Sequence, residues 1–278
     1  MRALVVAVVC CALAASAAGR ALLVDGRGPH LVGVRSLAMG DAFVSVAEEA
    51  AGAMHNPAGL GIGEGVHLFG QTNPTARARL RFDPKGIAYR WRGWGASWGN
   101  KIALHESAVA DYNEWAVGRR LSSHLAAGAG VSLRRAHPSR HFQVWGHSAE
   151  YRLGFLAAGS ARTRFGLRVE GLRPGGGPSQ AALGAAAASG RALYAIEAEW
   201  KRAGGASLRL GGEWSLDART RLRAGWRSGA PTAGVGVRMG PARVDAGWTR
   251  VEGLHLLFIG AEAALTGAAC ARHEQKGR

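Results

Sequence analysis

From about Gly65 to Leu265, apolar and polar residues alternate with a period of two, as they do in strands with one apolar and one polar face. In ASLRLGGEWSLD, Ala206, Leu208, Leu210, Trp214 and Leu216 share one face, and Ser207, Arg209, Glu213, Ser215 and Asp217 share the other. TRLRAGWRS sets Leu222, Ala224 and Trp226 against Arg221, Arg223 and Arg227; ARVDAGWTR sets Val244, Ala246 and Trp248 against Arg243, Asp245 and Thr249. These segments run about 9 to 11 residues between short turns, the length a tilted membrane-crossing strand needs and longer than most strands of soluble sandwiches. About 12 to 15 such segments fit the interval, and the even strand numbers of bacterial barrels point to 14, with 12 as the alternative. The predicted fold is all-β: a transmembrane antiparallel β-barrel over 65–265.

Residues 21–64 break the pattern. SLAMGDAFVSVAEEA suits one or two helical turns, with Ser36 as an N-cap. In NPAGL, Asn56 caps, Pro57 takes the first helical position and Gly59 stops the turn. An empty barrel of this size would leak, and a compact segment just ahead of the first strand is placed to plug it. GLGIGEG (59–65) follows no strand, so it reads as a link between plug and barrel and not as a dinucleotide loop.

Residues 1–20 have the form of a signal peptide: Arg2, the apolar run ALVVAVVCCALAA, then small residues offering cleavage near Ala17 or Ala18. Cys10 and Cys11 would leave with it. Cys270 then stands alone, in a basic tail over 266–278, and no intrachain disulfide is expected.

Composition fits an inverted protein. Gly contributes 42 of 278 residues and Trp 9 against 4 Tyr, while large aliphatic runs are scarce, so either the core is thin or the apolar surface faces something other than the chain itself. The formal charge of +16 is carried mostly by arginines spread at strand spacing, which argues against the concentrated patch or tail of a nucleic-acid binder. A water-soluble secreted basic protein that binds anionic polymers is a further reading of that charge. On the polar face, Arg164, Arg168, Glu197, Glu199, Arg209, Glu213, Arg221, Arg223, Arg238, Arg243 and Asp245 are the expected lumen-lining residues. They would form a cross-strand ionic network, an anion-favouring pathway or a polar route for an amphipathic acid, and so many charges speak against a dry hydrophobic tunnel. No nucleophile with a base, carboxylate pair or phosphate loop is present, so neither an enzyme nor a cofactor is expected. His137, His141 and His147 are a weak metal candidate, lacking a nearby carboxylate or Cys.

RSLAMGDAFVSVAEEAAGAMHNPAGL (35–60) resembles the N-terminal signature of the PorV/PorQ group of outer membrane proteins, within the wider superfamily of FadL-type transporters, whose hatch also carries Asn-Pro-Ala. The hairpin spacing of 208–254 is similar as well. The resemblance implies a hatch built on Asn56, Pro57, Ala58 and Gly59, with Met39 and Gly40 in the turn before it and Arg35 as a further residue of the plug motif. It implies a place in the bacterial outer membrane, in contact with its lipid. PorV-like relatives act as partners of a protein secretion system, and FadL-like ones pass hydrophobic molecules through the barrel and out laterally. The favoured expectation is a passive or accessory PorV/PorQ-type role, in solute passage or as a secretion-system partner; a channel for hydrophobic compounds is the alternative. The solute would be small and hydrophobic or anionic. Asp41 and His55 depart from the pattern, standing where a small residue and an aromatic are expected. No aromatic ends the chain, which moves the barrel-assembly signal to Phe258.

Overall fold

A computed structural model of the chain describes residues 32–74, 84–105, 108–134, 148–172, 177–202, 204–251 and 254–265. The segments read as signal peptide and basic tail, and the three loop histidines, lie outside them.

Fourteen antiparallel strands close into a barrel, each paired with its sequence neighbours and β1 with β14. They are β1 (Gly65–Thr72), β2 (Lys85–Trp91), β3 (Trp94–His105), β4 (Ala108–Arg120), β5 (Leu125–Arg134), β6 (Ser148–Ala158), β7 (Thr163–Leu172), β8 (Gln180–Ser189), β9 (Ala192–Lys201), β10 (Gly205–Ser215), β11 (Thr220–Arg227), β12 (Ala230–Met239), β13 (Ala242–Val251) and β14 (Leu254–Ala264). Closure satisfies the backbone donors and acceptors that an open sheet edge would leave bare. Two-residue turns hold the register. Arg92 and Gly93 both have positive φ, as do Ser228 and Gly229, the geometry whose twist matches a hairpin.

The strand faces are inverted relative to a water-soluble sheet. The outer surface carries Leu68, Ile87, Val117, Leu153, Phe155, Leu183, Leu222 and Val235, all exposed. Aromatics concentrate toward the strand ends: Trp91, Trp94 and Trp214 at the end where β1 begins, Trp200 and Trp226 at the other. Inside lie the charges, among them fully buried Arg152, Glu114 and Glu197. An apolar band between aromatic girdles is what a lipid environment demands, and it argues against the polymer-binding soluble reading.

The lumen is filled by residues 32–64. A short helix α1 (Val34–Ala38) is followed by turns and then two 3₁₀ segments, Ala51–Met54 and Pro57–Gly61. Two expectations about their ends need correction. Ser36 lies inside α1, not at its cap: Gly33 takes the cap position with φ 81°, and the Ser36 hydroxyl donates back to the carbonyls of Val32 and Gly33. Gly59 does not stop the second 3₁₀ segment, which runs on to Gly61. Its role is close packing: a Cβ there would lie 1.6 Å from the carbonyl oxygen of Ala47. Phe258, the residue expected to carry the assembly signal, faces inward and is fully buried.

Candidate functional site

The joint between plug and wall is where the chain concentrates its chemistry. An irregular segment buried in a barrel brings backbone N–H and C=O groups that no ladder satisfies, and each costs free energy if left bare. Wall side chains meet them. The Glu197 carboxylate accepts from the N–H groups of both Phe43 and Val44, at 2.9 and 2.8 Å. Glu262 accepts from Ala50 N–H and Gln71 from Gly33 N–H. In the other direction, Arg168 donates to the carbonyl of His55, Arg152 to those of Met54 and Ala53, and Thr232 to that of Ala38.

Asn56 joins three places at once. Its amide donates to the carbonyls of Val44 in the plug and Phe155 in β6, and its side-chain oxygen accepts from Ala58 N–H, capping the segment opened by Pro57. Pro57 and Ala58 lie against β5, where a Cβ on Gly128 would come 2.4 Å from the Pro57 carbonyl carbon. That glycine is one of a belt. Gly95, Gly118, Gly128 and Gly154 are cross-strand partners in succession, and Gly211 with Gly225 and Gly234 with Gly247 continue the belt on the far wall. Each leaves room for plug atoms where any larger residue would collide. Met39 packs at Gly211, and Gly40, with φ 64°, lies against the backbone of Leu210 and Trp226.

The charges expected in the lumen form joints of two kinds. Arg35 and Glu49 of the plug close a ring with four wall residues: Arg35 to Glu213 (2.8 Å), Glu213 to Arg223 (2.7 Å), Arg223 to Asp245 (2.7 Å), Asp245 to Arg243 (2.7 Å), Arg243 to Glu49 (2.6 Å) and Glu49 back to Arg35 (3.5 Å), alternating in sign throughout. Glu49 is deeply buried, which would raise its pKa, but the Arg243 and Arg35 guanidiniums outweigh burial and hold it below the usual carboxylate value. Arg221 reaches Glu213 from outside the ring at 2.9 Å. The second network lies within the wall: Arg168 and Arg209 share Glu199, and Arg209 also pairs with Glu197. Arg164 pairs with Glu48 of the plug, while Arg238 is exposed and makes no ion pair among the described residues.

The two departures from the expected plug pattern both have partners. Asp41 has a left-handed φ of 57° and pairs with Arg227 at 2.7 Å. His55 packs edge-on to Phe43, with ring centroids 5.2 Å apart, and its Nε2 lies 2.9 Å from the Val32 carbonyl. A carbonyl only accepts, so Nε2 carries the proton; burial pushes the pKa of His55 below its ordinary value.

Sequence reasoning missed Arg152 with Glu114, an ion pair joining β6 to β4 beneath Met54. It also missed Arg90, Glu48, Glu49 and Glu262. The glycine belt was visible in principle, because these glycines occupy polar-face positions in register with the arginines. On the outer wall, a groove of about 520 Å³ between Ile87, Tyr89, Trp98, Trp115, Val131 and Tyr151 is lined almost wholly by apolar atoms.

No protein-family model matches the chain, and no curated sequence does. Solved structures do. The Ralstonia pickettii toluene transporter TbuX superposes with a TM-score of 0.62 at 14% identity, over 87% of this chain and 100% of that one. A Pseudomonas aeruginosa FadL homologue gives 0.63 at 8% identity over 87% and 100%. The fold is that of the FadL-type barrels. The Pseudomonas putida toluene transporter TodX shares it too, at 0.60 and 13% identity over 87% and 100%.

Proposed function

We propose that the chain is an outer membrane channel of FadL type, passing a small hydrophobic or amphipathic compound across the bacterial outer membrane. The observation that carries this reading is the pairing of a plugged 14-strand barrel, shared along most of its length with transporters of aromatic hydrocarbons, with an apolar groove on the lipid-facing wall. Most of the lumen charges, expected to disfavour such a role, are engaged in ion pairs that hold the plug or brace the wall, so they weigh less against a hydrophobic cargo. The groove is several times the ~150 Å³ that accommodates a benzene ring, and its position on β2–β6 suits a lateral exit into lipid. The test is uptake of a labelled monoaromatic compound by cells with an intact outer membrane. Cells expressing the protein should take it up faster than cells carrying an empty vector; equal rates would sink the reading.

A second reading keeps one observation in its favour. A plug bonded around so much of the wall suits a barrel that transports nothing and serves as the accessory partner of a secretion system, as in the PorV/PorQ group. Uptake equal to the control, together with co-purification of an envelope protein in fixed ratio, would move the function there.

A further inference from the structure

At the barrel end where β1 begins and β14 finishes, a cavity of about 410 Å³ opens below the plug. Five arginines line it: Arg35, Arg90, Arg221, Arg238 and Arg243. Three carboxylates share the lining, so the formal balance of its arginines and carboxylates is five positive against three negative. The carboxylates are already committed. Glu49 is held by Arg35 and Arg243; Glu262 accepts from Ala50 N–H and from Arg243; Glu48 pairs with Arg164, which lies outside the cavity. That leaves three guanidiniums without a carboxylate of their own. Arg221 must share Glu213 with Arg35 and Arg223. Arg238 is exposed to the cavity and unpaired among the described residues.

Arg90 is the most telling. Its residue is only 3% exposed, and Nη1 donates to the Glu48 carbonyl, yet Nε and Nη2 have no hydrogen-bond partner among the described residues. Arg90 lines the cationic cavity, and a buried guanidinium with two idle donors is short of an acceptor. We propose that this cup binds an oxyanion, a carboxylate or phosphate group, held by Arg90 from the plug side and by Arg238 and Arg221 from the rim. Carboxylate and phosphate suit the planar fork of guanidinium donors, whereas the cup's polar lining would reject an acyl chain or ring. The site is distinct from the apolar groove and does not depend on what crosses the barrel.

The test uses the full-length protein in a neutral detergent, titrated by calorimetry with inorganic phosphate, with octanoate below its micellar range, and with 1-octanol as the uncharged control. Saturable binding of phosphate or octanoate at one site per chain is expected, weakened at least tenfold in Arg238→Gln and in Arg90→Gln. Phosphate binding marks a site for a free oxyanion. Octanoate binding without phosphate marks one for the head group of an amphipath. Arg238→Gln sits on an exposed side chain and should leave the barrel intact; if Arg90→Gln fails to assemble, Arg221→Gln replaces it. No saturable binding at millimolar concentration, octanoate binding matched by octanol, or affinities unchanged in the arginine variants would each overturn the proposal.

Discussion

Adding one carbon at Gly128 should unseat the plug, while adding it at Gly70 should not. At Gly128 a Cβ would lie 2.4 Å from the Pro57 carbonyl carbon, 2.5 Å from its oxygen and 2.6 Å from the Ala58 nitrogen. Ordinary contact between carbons is about 3.5–4.0 Å, so the plug must retreat by about 1 Å. All three atoms are backbone, so no rotamer change can absorb the collision. Overpacking of this kind costs about 1–3 kcal/mol. A Cβ at Gly118, the cross-strand partner of Gly128, would press on the same Pro57 oxygen at 2.5 Å. Substituting both should therefore cost less than the sum, because one retreat relieves both. At Gly70, nothing lies within 4 Å of the added carbon. Replacing a strand glycine by alanine there should be neutral or stabilising by about 0.5–1 kcal/mol. The assay is the temperature at which the folded, fast-migrating band on an unboiled gel is lost, with limited proteolysis of the plug alongside. Gly128→Ala should lower that temperature and expose the plug, and Gly70→Ala should do neither. Equal tolerance at the two positions would refute the belt as the seat of the plug.

Three further outcomes follow from the same joints. Glu213→Gln breaks the charge ring and leaves Arg35 and Arg223 short of a partner; loss of one side of a buried pair costs about 3–5 kcal/mol, so plug proteolysis should speed up sharply, while the wall network at Glu199 survives. Asn56→Ala removes three hydrogen bonds at about 1 kcal/mol each, two of them tying the plug to itself and to β6; it should destabilise more than Gln71→Ala, which releases Gly33 N–H, when both are ranked by unfolding temperature. His55 is held neutral by burial, its folded pKa below its unfolded one. Its contribution is thus full above about pH 6.5 and is lost as pH falls from there toward the depressed folded value. Plug protection should weaken between pH 7 and pH 5, and His55→Phe, which keeps the edge contact with Phe43, should flatten that dependence; an identical slope in the variant would show that other groups set it.

The barrel was legible in the sequence because its signal is local and repeated. In β10 to β13 each Arg or Asp alternates with Leu, Val or Trp, and a period of two admits only one structure over that length. The even strand count followed from closure. The plug was legible only as a break in the pattern. Its path depends on contacts such as Phe43 to Glu197 and Arg35 to Glu213, between residues far apart in the chain, and local capping rules misplaced Ser36 and Gly59 because the wall supplies what caps would otherwise provide. The arginines could be assigned to the lumen, but not sorted into spent and free. That sorting is decided by which carboxylate the plug brings to each: Glu49 reaches Arg243, and none among the described residues reaches Arg238.

The plug also touches both strands that form the barrel's seam. Gly33 is held by Gln71 of β1 and Ala50 by Glu262 of β14, the two strands whose pairing closes the ring. With glycines around the wall leaving no clearance, a finished cylinder offers no passage through which this segment could later be threaded. On this geometry the N-terminal piece would work as a mandrel, the sheet wrapping around it and the first and last strands meeting where it presents them to each other. A defect in the plug would then show itself as a failure of biogenesis, in barrels that never close, before any effect on traffic across the membrane could be measured.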